Sequence, residues 1–198
     1  MGNEFFAMMS RMKYIERWAL MRNSRVENIS EHSLEVAMIA HSLAVIAQMR
    51  LGKNIDASRL ALMAMYHDST EIITGDMPTP IKYYSKDIKD AFKEVEHVAA
   101  VRLLEMLPED LREAYEPFFI EKEEDKELWR LVKAADKLSA LIKCIEERKA
   151  GNLEFKSAER TLKESIMEMQ LEEVTVFFEE FMPAYDKTLD ELNSFGIK

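Results

Sequence analysis

Hydrophobic positions recur at helical spacing along almost the whole chain of 198 residues. In residues 4–21, apolar side chains stand three or four positions apart, at Phe5, Met8, Met9, Met12, Ile15 and Ala19. Such spacing places them on one face of a helix. Only 5 Gly and 5 Pro are present, which favours long helices over a fold built on turns. We therefore predict an all-α protein, with residues 1–198 forming one helical-bundle domain.

Polar segments and helix-terminating residues divide this pattern into separate elements. After the helix at 4–21 we predict a loop at 22–29, a helix that Ser30 caps and that runs to about Met49, a helix capped by Asp56, and a loop at 74–80 that contains two prolines. Further helices are predicted at 85–107, from Pro108 onwards, at 123–150, at 153–170 and at 172–194, the last of them kinked at Pro183.

Composition narrows the classes of function. The formal net charge of -10 makes the chain a poor candidate for binding nucleic-acid polymers, which requires a basic surface. An anionic ligand would instead need a local cation, either a metal or a specific Arg. Cys144 is the only cysteine, so no internal disulfide can form and a reducing cytoplasm is expected. No run approaches the roughly 18 apolar residues of a membrane span, so no membrane partner is expected.

Asp136 stands in the most apolar part of the longest predicted helix. Aspartate is a poor residue for the middle of a helix. If its side chain faced the core, the carboxylate would need a cation or strong hydrogen-bond donors. An exposed Asp136 that pairs with Lys133 or Lys137 is the alternative that the sequence leaves open.

Two of the four histidines are candidates for a site. His67 lies on the apolar face of the third predicted helix, Asp68 follows it, and Glu71 shares the face of His67 about one turn later. A single inward histidine is more often a satisfied core residue, but this combination of neighbours favours chemistry. His32 lies near the start of the second helix. His41, nine residues further along, points about 180° away from it, so the two cannot serve one site, and we expect His97 on the surface.

If they met, His32, His67, Asp68 and Asp136 would form a mixed set of nitrogen and oxygen ligands. Such a set suits one divalent transition metal, namely Zn, Mn, Fe, Co or Ni. On an octahedral ion, these four protein ligands would leave two coordination positions, one for a water molecule and one for a substrate oxygen. A metal there would lower the pKa of the water towards about 7 and polarise a phosphoryl group.

The order of a His, a His-Asp pair and a distant Asp resembles the HD-domain phosphohydrolases. Three segments are similar to the bacterial 5'-deoxynucleotidases: residues 17–23 (RWALMRN), 27–33 (ENISEHS) and 66–80 (YHDSTEIITGDMPTP). The similarity runs from about residue 4 to the C-terminus. It implies a helical bundle of the HD type, a homodimer, and hydrolysis of deoxyribonucleoside 5'-monophosphates to deoxynucleoside and phosphate.

The resemblance also implies roles for individual residues. His32, His67, Asp68 and Asp136 would be metal ligands, and all but His67 would also contact the substrate. Arg17 would orient the phosphate with its planar donor fork. Trp18 would crowd the 2' position of the sugar, and Glu71 would act as a general acid or base. The region of the sugar's 3'-hydroxyl would be held by Asp76, Met77, Pro78 and Thr79.

Two other functions fit the same residues. The first is an HD hydrolase of nucleoside triphosphates or guanosine tetraphosphate, but the chain shows no additional basic cluster beside its HD residues. The second is a helical module that senses nucleotides without turning them over. The presence of Glu71 beside the candidate ligands weighs against this module.

Overall fold

The computed structural model describes residues 3–82 and 84–193, and within these ranges the regular structure is helical with no β-strand. The α-helices are α1 (Phe5–Met9), α2 (Ile29–Leu51), α3 (Ala57–Tyr66), α4 (Glu71–Thr74), α5 (Thr79–Lys82), α6 (Lys86–Glu105), α7 (Glu109–Tyr115), α8 (Lys126–Lys149), α9 (Lys156–Met167), α10 (Glu172–Glu180) and α11 (Leu189–Leu192). Short 3₁₀ turns cover Ser10–Tyr14, Glu116–Phe118, Glu123–Asp125, Leu153–Phe155 and Met182–Asp186. The predicted end of the last helix, at residue 194, lies outside the described residues.

Helix α2 runs through the middle of the main core. The Asn28 side chain caps it by accepting from the backbone N–H groups of Ser30 and Glu31, and Gly52, at φ 67°, ends it. By length and mean hydropathy of 1.4 this helix could cross a membrane, so the expectation that no segment approaches that limit was wrong. Its apolar composition also suits a core helix, because α3, α8 and α10 pack around it.

Helix α8 forms the other wall of the main core. It packs against α2, α3 and α9, and its buried residues include Leu131, Leu138, Leu141 and Ile142. A second cluster joins Phe5 of α1 to the end of α6 and to the aromatic residues of the segment after it. Together these contacts hold the first turn of α2, the end of α3 and the middle of α8 close to one another.

The predicted helix at 4–21 ends early, and this difference matters for the site. Residues after Tyr14 leave the helix, and Ile15 is extended at φ -97° and ψ 110°. Glu16 forms an isolated antiparallel bridge with Asn28, while the N–H of Arg17 donates to the carbonyl oxygen of Glu27 at 2.9 Å. These long-range hydrogen bonds replace those of a continuing helix, so tertiary pairing overrides the helical spacing of the apolar residues.

Other helix boundaries also differ from the predictions. Asn28 rather than Ser30 caps α2, because the asparagine oxygen already accepts from two of the unpaired N–H groups of the first turn. Pro108 precedes α7 instead of starting it. The last predicted helix breaks at Phe181 instead of bending at Pro183, and the proline then lies in the first turn of the following 3₁₀ helix, where its missing N–H costs nothing.

Glu147, in the last turns of α8, links the loop that follows residue 21 to the helical bundle through hydrogen bonds. Its carboxylate accepts from the Ser24 N–H at 2.9 Å and from Asn152 Nδ2 at 2.8 Å, and it pairs with Lys143 Nζ. Burial opposes the ionised form, but the hydrogen bonds from Lys143, Ser24 and Asn152 outweigh it and lower the pKa of Glu147 to about 2. The carboxylate therefore stabilises the fold in its charged form.

We expect Glu147→Gln to reduce the free energy of unfolding by about 1–3 kcal/mol at pH 7, because buried donors lose a charged acceptor. Because the pKa of Glu147 is lower in the folded than in the unfolded protein, its ionised carboxylate stabilises the fold fully above the unfolded pKa of about 4.3. This stabilisation is lost as the pH falls towards 2. The difference from the wild type should therefore be constant from pH 7 to 5 and shrink below about 4. Urea unfolding at several pH values measures it, with the exposed neighbour in Glu146→Gln as control, expected within about 0.5 kcal/mol of the wild type. Equal losses in both variants would contradict this account.

Candidate active site

Four side chains from three parts of the chain meet between α2, α3 and α8. His32 lies in the first turn of α2 and is fully buried. His67 ends α3 and Asp68 follows it in a turn. Asp136 comes from the middle of α8. The structure thus brings together the four residues predicted as metal ligands, although their role as ligands remains a prediction.

The separations within this cluster are short. Ligand atoms of His32, His67 and Asp68 all lie within 4.8 Å of one another. His32 Nε2 is 3.1 Å from Asp136 Oδ1 and 3.5 Å from Asp68 Oδ2, and His67 Nε2 is 3.2 Å from Asp68 Oδ1. Ligands about 2.0–2.2 Å from a common metal ion have separations of this order.

Hydrogen bonds determine which nitrogen of each imidazole carries the proton. His67 Nδ1 lies 2.7 Å from the carbonyl oxygen of Ala64, which can only accept, so Nδ1 carries the hydrogen. Ser139 Oγ donates to Glu35 Oε2 at 2.6 Å, so its oxygen accepts from His32 Nδ1 at 3.0 Å. In its neutral form, each imidazole therefore presents the lone pair of Nε2 to the cluster, as in metal sites where a second group fixes the tautomer.

Lone pairs and carboxylate oxygens that face one another need a positive charge between them. Burial, and then the charge of Arg17, lowers the pKa of His32, so this imidazole is neutral at pH 7. Burial also disfavours a charged His67, but Asp68 outweighs it and raises the pKa of His67. The buried Nε2 of His67 makes no hydrogen bond among the described residues. This donor set fits a divalent cation, which would displace the proton taken up by His67.

Glu71 lies beside the cluster in the first position of α4 and is buried. Its Oε2 has no hydrogen-bond partner among the described residues. Burial raises the pKa of Glu71 to about 10, and the carboxylates of Asp68 and Asp76 contribute to the shift. A buried carboxyl group with an unpaired oxygen is a common feature of acid–base sites.

Arg17 and Trp18 reach the site from the extended segment before α2. The Arg17 guanidinium lies 3.7 Å from Asp136 Oδ1 and donates to Glu27 Oε2 at 3.2 Å. Burial opposes its charge, but the acids Asp136 and Glu27 raise the pKa of Arg17. Trp18 has the left-handed backbone angle φ 61°, rare for a residue other than glycine, and its N–H donates to Asp76 Oδ2 at 3.3 Å.

A cavity of about 890 Å³ opens beside the cluster. Its wall includes seven of the residues predicted to bind substrate or metal, namely Arg17, Trp18, Asp76, Met77, Pro78, Thr79 and Asp136. The volume suits a small organic ligand. The predicted surface position of His97 is confirmed, since its side chain is exposed, and His41 is exposed as well.

Some residues of the site were not predicted from the sequence. Helix α9 contributes Ser157, Thr161 and Ser165 to the cavity wall, and their spacing of four was a usable signal of one polar face. Glu35 and Ser139 lie three positions after His32 and Asp136 on the same helices, so shared helix faces also pointed to them. Glu27, in a loop, had no such signal.

The comparisons with known proteins identify the family. A family model described as 5'-deoxynucleotidase YfbR-like matches residues 4–185. The chain belongs to the YfbR-like 5'-deoxynucleotidase family. It is 47% identical to a 5'-deoxynucleotidase of Erwinia tasmaniensis over 191 residues, 96% of each chain. It is 46% identical to the 5'-deoxynucleotidase YfbR of Escherichia coli, also over 96% of each chain. The resemblance recognised in residues 17–23, 27–33 and 66–80 is confirmed.

Solved structures confirm the all-α fold of the HD type for this YfbR-like chain. An HD-domain phosphohydrolase from Listeria innocua superposes with a TM-score of 0.81 at 23% identity, covering 93% of this chain and 90% of that one. A cyanophage S-2L HD phosphohydrolase, bound to dA and one catalytic Zn²⁺ ion, gives a TM-score of 0.62 at 21% identity and covers 92% and 96%.

The facing lone pairs predict that a divalent cation stabilises the protein. Adding Mn²⁺ or Co²⁺ at about 100 times its dissociation constant to chelator-treated protein contributes about 2.7 kcal/mol, which raises the melting temperature by about 5–10 °C for a chain of this size. Asp68→Asn should lose most of the shift, and His41→Ala, changed at an exposed histidine, should keep it. A wild type that melts at one temperature with and without metal would contradict the prediction. Calorimetry makes the measurement.

Proposed function

We propose that this protein hydrolyses deoxyribonucleoside 5'-monophosphates to deoxynucleoside and phosphate in the cavity beside His32, His67, Asp68 and Asp136. Membership of the 5'-deoxynucleotidase family over residues 4–185 supports the reaction. The location of the active site is inferred from one observation, the convergence of two imidazole lone pairs and two carboxylates beside a buried arginine. A cation held by such a cluster, together with the arginine, would supply the positive charge that a phosphate ester requires.

His32, His67, Asp68 and Asp136 would hold one divalent transition metal, with Co, Mn, Zn, Ni and Fe as candidates. When bound, such a metal supplies Lewis-acid chemistry, because it lowers the pKa of a water molecule and withdraws charge from a phosphoryl oxygen. The chain keeps His32 in the required tautomer through Ser139 and Glu35. The backbone of Ala64 does the same for His67.

Arg17 would bind and orient the phosphate. Its guanidinium lies beside Asp136 and lines the cavity. Only its Nη1 donates a hydrogen bond among the described residues, to Glu27. The remaining N–H groups of the planar fork are the kind of donors that match phosphate oxygens. Asp136, Asp68 and His32 would contact the same phosphate end of the substrate.

The sugar would lie between Trp18 and the segment 76–79. Both line the cavity, and the hydrogen bond from the Trp18 N–H to Asp76 joins them directly. Asp76 would accept from the 3'-hydroxyl, while Met77, Pro78 and Thr79 form the wall around it. The indole of Trp18 would leave no room for a 2'-hydroxyl, so that deoxyribose is preferred over ribose.

Glu71 would transfer the proton of the reaction. Three features support this role. The Glu71 N–H donates to the carbonyl oxygen of Asp68, the Glu71 side chain is buried, and its Oε2 has no hydrogen-bond partner among the described residues. As an acid, it would donate to the 5'-oxygen of the leaving deoxynucleoside. As a base, it would accept from the attacking water molecule, which requires that the charge of a bound metal lower the raised pKa of Glu71. General acid–base groups contribute about 10²–10⁴-fold to rates.

Phosphate release from dAMP, dGMP and dTMP and from the matching ribonucleotides, measured with Mn²⁺ or Co²⁺ present, tests the proposal. We expect the deoxynucleotides to be hydrolysed preferentially, and Glu71→Gln to reduce kcat by about 10²-fold or more. Glu94→Gln, at an exposed position on α6, is the matched control and should keep the wild-type rate.

Other products would identify the alternative functions. Pyrophosphate or triphosphate released from a nucleoside triphosphate, with no phosphate from any monophosphate, would reject the proposal in favour of the alternative hydrolase. Nucleotide binding without any hydrolysis, unchanged by Glu71→Ala, would indicate a sensing module.

We also propose that the protein is a cytoplasmic homodimer, as the family resemblance implies. Exposed apolar side chains share one face of α2 and would supply the contact, namely Leu34, Met38, Val45 and Met49. Sedimentation should give about twice the 23.1 kDa of one chain. Met38→Glu should yield monomers, whereas Val95→Glu, at an exposed valine on α6, should not. A wild type of single-chain mass would contradict the dimer.

A further inference from the structure

We propose that Glu27 is a positioning residue that sets both the phosphate orientation and the preference for deoxyribose, through simultaneous contacts with Arg17 and Trp18. This inference rests on the proposed function, because it concerns how the two residues are held for that reaction. Glu27 lies in the loop before α2, and only 12% of its side chain is exposed.

A single carboxylate oxygen makes both contacts. Glu27 Oε2 accepts from Arg17 Nη1 at 3.2 Å and from Trp18 Nε1 at 2.9 Å. The two donors are neighbours in sequence and belong to the parts of the cavity assigned to phosphate and sugar. One oxygen therefore fixes the distance between the guanidinium and the indole.

The backbone of the same segment strengthens this arrangement. Arg17 N–H donates to the carbonyl oxygen of Glu27, and the adjacent residues Glu16 and Asn28 form the isolated bridge. The loop that carries the carboxylate is therefore paired directly with the segment that carries its two donors. Movement of Glu27 would move Arg17 and Trp18 together.

Trp18 makes one side-chain hydrogen bond among the described residues, the one to Glu27. Its left-handed backbone at φ 61° is unfavourable for a residue with a large side chain. The indole packs on Phe155 with ring centroids 5.2 Å apart, which is compatible with several ring orientations. The bond from Nε1 to Glu27 selects one of them, and the Arg17 Cζ then lies 5.9 Å from the ring centre.

Kinetics on dAMP and AMP test the inference in the metal-loaded protein. Loss of the carboxylate in Glu27→Gln should raise the KM for dAMP, because Arg17 is less well oriented, and lower the dAMP-to-AMP ratio of kcat/KM by roughly tenfold. Trp18→Ala should lower the ratio in the same direction without the same rise in KM. The control Glu31→Gln, in which an exposed acid paired with Arg25 is changed, should keep both values.

An NMR measurement tests the contact without activity. The chain has 2 Trp, and the buried Nε1 of Trp129 makes no hydrogen bond among the described residues. We expect Glu27→Gln to shift the indole N–H signal of Trp18, assigned by its loss in Trp18→Phe, and to leave that of Trp129 in place. If the glutamine variant does not fold, Glu27→Asp carries the same readouts, because it draws the oxygens back by one methylene.

The two proposals fail in different ways. A wild type that releases no phosphate from any nucleotide overturns the proposed function, while the indole signal still reports the contact. A wild type that prefers dAMP, with an unchanged ratio and KM in Glu27→Gln, overturns the role of Glu27. An unmoved Trp18 signal overturns it as well.

Discussion

The arrangement of the candidate active site depends on one constraint, the mutual repulsion of electron-rich side-chain atoms that lie close together. The Nε2 lone pairs of His32 and His67 face the carboxylates of Asp68 and Asp136 at 3.1–3.5 Å, and both imidazoles are shielded from water, since at most 9% of either side chain is exposed. Such a cluster is costly unless a cation occupies it. The hydrogen bonds behind the two imidazoles hold the lone pairs in place, so the fold keeps an arrangement that is favourable only with bound positive charge.

The rest of the site is organised around this charge. Arg17 brings a permanent positive group next to Asp136, and Glu27 balances it on the other side. Glu71 remains buried with an unpaired oxygen. A phosphate ester that enters between the metal position and Arg17 would meet positive charge on two sides, although the chain as a whole carries a net charge of -10. Under the proposed function, this local charge rather than the net charge would determine where the anion binds.

Local sequence signals predicted the main helices, because capping residues and prolines act over a few positions, whereas the full set of candidate site residues also needed the resemblance to a known family. Asp56 caps α3 as predicted, and His67 lies at the end of its helix. The path of Arg17 and Trp18 could not be predicted in this way, since apolar residues continue at helical spacing through that segment. Pairing with Glu27 and Asp76, the latter 58 positions away, decides its conformation, and no local pattern encodes it.

The most direct test of the central claim is the X-ray absorption spectrum of the protein loaded with one equivalent of Co²⁺ or Mn²⁺. The account predicts a first shell of nitrogen and oxygen atoms only, with the multiple-scattering signal of two imidazoles. That signal should fall to one imidazole in His67→Ala and stay unchanged in His97→Ala, where an exposed histidine is replaced. A shell without imidazole, or one that contains the sulfur of Cys144, would contradict the account.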